Sequence, residues 1–202
     1  MPLCSIREIH ADVRLGIWHI SESVEELLAA CPQLTAVLET VMTRYHASAR
    51  RLETLSVYAL LFHMTGDSTL RITHNERRAP IVEGWHISIS HTRGYAAVVL
   101  SRSFDVAVDI EYIHERVTAI AARFLRQDEH APSLISKLIH WCAKETLYKL
   151  FSAEDLHFHD MRVLPFEERV EGELMSEDCK CPKRQTVFYQ VTPGYVLTYA
   201  WR

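Results

Sequence analysis

No apolar run reaches the length of about 18 residues that a bilayer-crossing helix requires, so no transmembrane segment is expected in these 202 residues. Positive charge is not in excess either. The 22 Lys and Arg stand against 26 Asp and Glu, and the formal net charge of −4 argues against broad nucleic-acid binding, which needs a basic footprint. Met1 to Ile20 lacks the apolar core of a secretory signal, because Arg7, Glu8, Asp12 and Arg14 interrupt it. The five cysteines are an odd number at no framework spacing, which speaks against a disulfide scaffold and for a reducing compartment. Cytoplasmic residence is the expectation. No low-complexity tract or linker divides the chain, and no G-x-S-x-G elbow surrounds Ser90-His91, so a serine-nucleophile reading of that pair is weak.

What is present is enough to build a core. A hydrophobic content of 48% over this length can bury one domain or two compact halves. Helical pattern is expected over 24–45 and over 48–64, where Gly66-Asp67 ends it. Strands are expected near 70–75, 85–90, 95–101 and 106–111, with Ser101-Arg102-Ser103 as a turn. Helical periodicity returns at 117–125 and 132–151. Late strands follow near 161–165, 186–191 and 196–201, with Pro193-Gly194 as the last hairpin turn.

Chemistry concentrates in three places. In the run Val106-Ala107-Val108-Asp109-Ile110-Glu111, alternate side chains of a strand share a face, so Asp109 and Glu111 stand about 7 Å apart at the backbone on one side. Two such acids can converge on one hard, oxygen-liganded cation such as Mg²⁺. An isolated D-x-E more often marks a solvated strand end paired with arginine. Downstream, Leu134, Leu138, Trp141, Glu145 and Tyr148 recur at helical spacing, which sets Glu145 in an apolar stripe where a carboxylate needs a partner or a metal. Lys149 lies one turn on, so a plain Glu145–Lys149 surface pair is the bland alternative. Lys144 and Lys149 suit a phosphate as point charges. Third, Ser88, Ser90 and Thr92 alternate with Ile87, Ile89 and His91, placing hydroxyls, an imidazole and backbone N–H groups at the end of a strand.

These blocks, S-I-S-H-T at 88–92, V-A-V-D-I-E at 106–111 and W-C-A-K-E-T-L-Y-K at 141–149, resemble in order and spacing the 4′-phosphopantetheinyl transferases of the surfactin-synthetase-activating type. The resemblance covers about residues 75–150. Two departures stand out. Ala107 replaces a glycine usual in the family, and Arg77-Arg78-Ala79-Pro80 stands where G-K-P is common, leaving Arg78 or Arg77 to supply the charge.

The resemblance implies an α+β fold of two similar halves, 1–103 and 104–202, related by a pseudo-twofold axis, with the active site in the cleft between them. It implies transfer of the phosphopantetheine arm of coenzyme A to a serine of an apo acyl or peptidyl carrier protein, releasing 3′,5′-adenosine bisphosphate. Asp109, Glu111 and Glu145 are then the Mg²⁺ ligands, Glu145 the candidate base, and Lys149 and Lys144 the groups on the transferred phosphate. Arg78, Ser90 and His91 grip the adenosine-side phosphates. A monomer is expected, with no membrane or nucleic-acid partner. A Mg²⁺-dependent nucleotide or phosphodiester hydrolase, and a non-catalytic binder of coenzyme A or a carrier protein, are the alternatives. Arg116, Arg123 and Arg126, grouped around the 117–125 helix, would dock an acidic carrier. A zinc site from His157-x-His159 and Cys179-x-Cys181 is the weaker rival, since the C-x₂₋₄-C spacing is missing. Cys142 reads as a small core residue.

Overall fold

The computed structural model describes residues 3–202, with side chains from residue 5. It divides into two compact units, Met1–Phe104 and Asp105–Arg202. Each is an antiparallel sheet carrying helices, so the chain is α+β.

The first unit opens with two strands, β1 (Leu3–His10) and β2 (Val13–His19), where the sequence pattern suggested none. In β2 only Arg14 and His19 are exposed, while the residues between them are buried. Helices α1 (Val24–Ala30) and α2 (Thr35–Arg44) follow where one helix was expected. The break falls at Pro32, which opens a short 3₁₀ turn, because a proline ring clashes with the preceding helical turn. Ser23 and Glu26 cap the start of α1 reciprocally.

Helix α3 (Ser48–Thr65) is buried over most of its second half and forms the centre of the first core with Trp18, Leu27, Leu34 and Leu100. Gly66 ends it in the left-handed conformation at φ 72°. Gly16 on β2 lets α3 approach closely: a Cβ there would lie 2.6 Å from Met64 Sδ. Of the expected 70–75 strand only β3 (Thr73–His74) forms, paired with β4 (Pro80–Ile81). Then β5 (His86–Thr92) and β6 (Tyr95–Ser101) complete a sheet of order β1-β2-β6-β5.

The second unit begins with β7 (Val106–Tyr112). The expected 117–125 helix shrinks to a single turn, α4 (Arg116–Ala119), followed by a 3₁₀ turn at Ala121–Arg123. The long helix α5 (Leu134–Leu150) is capped by Ser133 and Ser136. Strands β8 (Met161–Val163), β9 (Glu171–Asp178), β10 (Lys183–Val191) and β11 (Tyr195–Trp201) close a five-stranded sheet of order β7-β11-β10-β9-β8. Pairing β11 to β7 sets Thr198 opposite Asp109. Helix α5 lies over these strands through Leu138, Ile139, Cys142, Ala143 and Leu147, and Thr146 Oγ1 meets Thr198 Oγ1 at 2.7 Å. Among the described residues, no helix is long and apolar enough to cross a membrane.

Candidate functional site

The alternation of β7 decides where its acids go. Ala107 joins the second core, fully buried, and Asp109 and Glu111 continue the same face toward α5. Asp109 is only 5% exposed. Lys149, on the last turn of α5, donates from Nζ to Asp109 Oδ1 at 2.8 Å and to the Val108 carbonyl at 2.8 Å. The ammonium therefore goes across to β7, and the plain Glu145–Lys149 pair is not what the helix makes. Trp141 Nε1 donates to Glu111 Oε1 at 3.3 Å, with its ring held edge-on to Phe124 and tilted against Phe158. That donor role of Trp141 had no signal in the sequence beyond its place in the stripe.

Glu145 sits on α5 between Trp141 and Lys149 and is pushed up to about 7. Burial is the main cause; the Asp109 and Glu111 charges add to it, and Lys149 opposes it. Asp109, Glu111 and Glu145 thus share one electrostatic neighbourhood. Within it, Lys149 donates to Asp109 and Trp141 to Glu111. Among the described residues, the acids and thiols that draw within 4.8 Å as a group of three are instead Glu154, Asp178 and Cys181. His157, His159, Cys179 and Cys181 do not assemble into the zinc site weighed from their spacing. As a donor set, carboxylates without nitrogen or sulfur suit Mg²⁺, a hard cation that takes oxygen ligands and keeps positions for water and phosphate oxygens. Cys142 is buried in the core, and its thiol is raised well above the usual range, first by burial and then by the two β7 acids.

Lys144 does something other than meet a phosphate. It is fully buried, and Nζ donates to Glu129 Oε2 at 2.7 Å, the Phe124 carbonyl at 2.6 Å and the Phe158 carbonyl at 3.2 Å. Glu129 also accepts the backbone N–H of Val163 at 2.6 Å and of Arg126 at 2.8 Å. The pair thus binds four backbone groups, those of Phe124, Arg126, Phe158 and Val163. The reason is angular: one residue back from Glu145 is about 100° around the helix, toward the protein interior. Burial lowers the Lys144 ammonium from its ordinary range, while Glu129 opposes the shift.

In the first unit, a cavity of about 230 Å³ gathers Arg44, Arg50, His74, Arg78 and His91. Arg78 stands at φ 64°, on the turn between β3 and β4. The Arg44 and Arg50 guanidiniums lie over the Tyr45 ring, and Arg50 also contacts His91 and Glu53. His74 is shifted below its ordinary value by burial and by Arg44. Arg44 and Arg50 come from the end of α2 and the start of α3, so only the fold brings them to His91. Ser90 is buried and faces the other side of β5, and it does not line this cavity.

Glu145 opens on a second cavity of about 460 Å³, with Arg123, Tyr148, His157, His159 and Phe158. The three docking arginines are not one helical face. Arg126 is tied to Asp128 and to the His159 carbonyl, and of the three only Arg123 lines the cavity.

Residues 105–200, which lie within the second unit, match the family model of the 4′-phosphopantetheinyl transferase superfamily. No curated protein matches the chain.

Proposed function

We propose that the chain transfers the 4′-phosphopantetheine arm of coenzyme A to a serine hydroxyl of an apo carrier protein, using Mg²⁺ held by Asp109, Glu111 and Glu145. The observation that carries the reading is the acidic face of β7 turned onto Glu145 within the unit that matches the transferase superfamily. When bound, Mg²⁺ neutralises charge on the pyrophosphate as the leaving group departs.

The chain's own groups supply the rest. Glu145, poised to exchange a proton near neutral pH, takes the serine proton directly or through a water. The serine oxygen bonds to the β-phosphorus, the bond to the bridging oxygen breaks, and its electron pair leaves with 3′,5′-adenosine bisphosphate. Lys149, already beside Asp109, lies one helical turn from Glu145 and holds the transferred phosphate. Trp141 fixes Glu111. On the adenosine side, Arg78 and His91 grip phosphates, with Arg44 and Arg50 added to them by the cavity they share. Arg123, at the rim of the cavity by Glu145, meets the acidic carrier.

Asp109→Ala and Glu145→Gln test the reading. Both should keep the circular dichroism of the parent and lose transfer, Glu145→Gln by a factor of about 10² or more, in line with general-base contributions. An active Asp109→Ala protein would remove the metal from the reading.

A further inference from the structure

The segment after α5 and the β9–β10 turn hold a second cluster. The oxygens of Glu154 and Asp178 and the sulfur of Cys181 all lie within 4.8 Å of one another. Asp178 is 2% exposed. Its Oδ1 accepts the backbone N–H groups of Lys180 at 2.8 Å and Cys181 at 3.2 Å, while its Oδ2 is buried with no donor. Glu154 repeats the pattern, with Oε1 taking Lys183 Nζ at 2.8 Å and Oε2 buried with no donor. Two acceptor oxygens buried together leave a desolvation penalty that a shared proton or a cation must relieve.

The third group distinguishes the two. A proton shared by two carboxyls needs no thiol, yet Cys181 completes the triangle from an exposed turn. Ligands of a tetrahedral zinc ion, at bond lengths of about 2.0–2.3 Å, stand about 3.5 Å apart, a short closure from the observed spread. We propose that Glu154, Asp178 and Cys181 form a site for a borderline-soft divalent ion, Zn²⁺, with water in the open fourth position. The thiol proton is released to solvent on binding. The ion would staple the β9–β10 turn to the segment that leaves the C-terminal end of α5. Its donor set, one sulfur and two oxygens, differs from the all-oxygen set on β7 and α5, so the two sites select different metals.

The test uses the full chain after chelation, titrated with Co²⁺ as a spectroscopic stand-in and then with Zn²⁺. The expected result is one equivalent of Co²⁺ giving a thiolate-to-cobalt charge-transfer band that Zn²⁺ abolishes. Cys181→Ser should remove the band, Asp178→Asn should weaken binding at least about tenfold, and Cys179→Ser should leave it intact. The Cys181 side chain sits on an exposed turn, so this variant tests the site without burdening the fold. Absence of the band, or its survival in Cys181→Ser, overturns the site and leaves the two carboxyls sharing a proton.

Discussion

Glu145 binds its proton more tightly in the folded chain than in the unfolded one, being raised from 4.5 to about 7. A carboxyl raised in this way stabilises the fold at low pH, and that contribution is lost as pH climbs through about 7. Metal-free protein should therefore lose stability between about pH 4.5 and 7, by up to about 3 kcal/mol from this group. Thermal melts across that window should show the slope flatten in Glu145→Gln and on adding Mg²⁺ to the parent. An identical slope in Glu145→Gln would take the effect away from this residue. Lys144 makes a second test at this scale. Removing it in Lys144→Met strands the fully buried Glu129 carboxylate, a change worth about 3–5 kcal/mol in denaturant unfolding. A cost below about 1 kcal/mol would show the pair to be no more than a surface ion pair. Sequence spacing put Lys144 beside a phosphate because it could not tell which side of α5 the sheet would cover.

At the scale of elements, the legible parts were those with a clear period. Strand β6 begins and ends where the sequence pattern put it, and β7 and α5 fall within a residue or two of theirs. Strand β9 was invisible because its inward positions, Leu174, Ser176 and Asp178, include only one apolar side chain. The apolar residues at 117–125 fit helical spacing, yet they fold as the one-turn α4 and a 3₁₀ turn and not as a continuous helix. The buried face of α5 is rotated from the stripe its spacing predicts, for Tyr148 is 47% exposed while Cys142, Ala143 and Leu147 pack inward. That rotation brings Trp141 to the edge of β7, where its N–H reaches Glu111. Trp141→Phe keeps the ring but loses this donor. It should lower stability by no more than about 1.5 kcal/mol while transfer falls, with the Mg²⁺ concentration needed for half-maximal rate rising. An unchanged Mg²⁺ requirement would mean that Glu111 needs no orienting.

For the molecule as a whole, the acids, the lysine and the superfamily match fall in the second unit, and the cluster of arginines and histidines falls in the first. The motifs made the first grouping legible in the sequence. The second was legible only in part: Arg78 and His91 lie near the serine–histidine block, whereas Arg44, Arg50 and His74 come from segments that carry no motif. Transfer, hydrolysis and mere binding of coenzyme A part at the acceptor. The direct measurement is the intact mass of an apo carrier protein after incubation with this chain, coenzyme A and Mg²⁺. The carrier should gain one phosphopantetheinyl group, with 3′,5′-adenosine bisphosphate released in equal amount, and should gain nothing when Mg²⁺ is chelated. Release of the bisphosphate with no change in carrier mass would make the chain a hydrolase, and no release at all would leave it a binding protein.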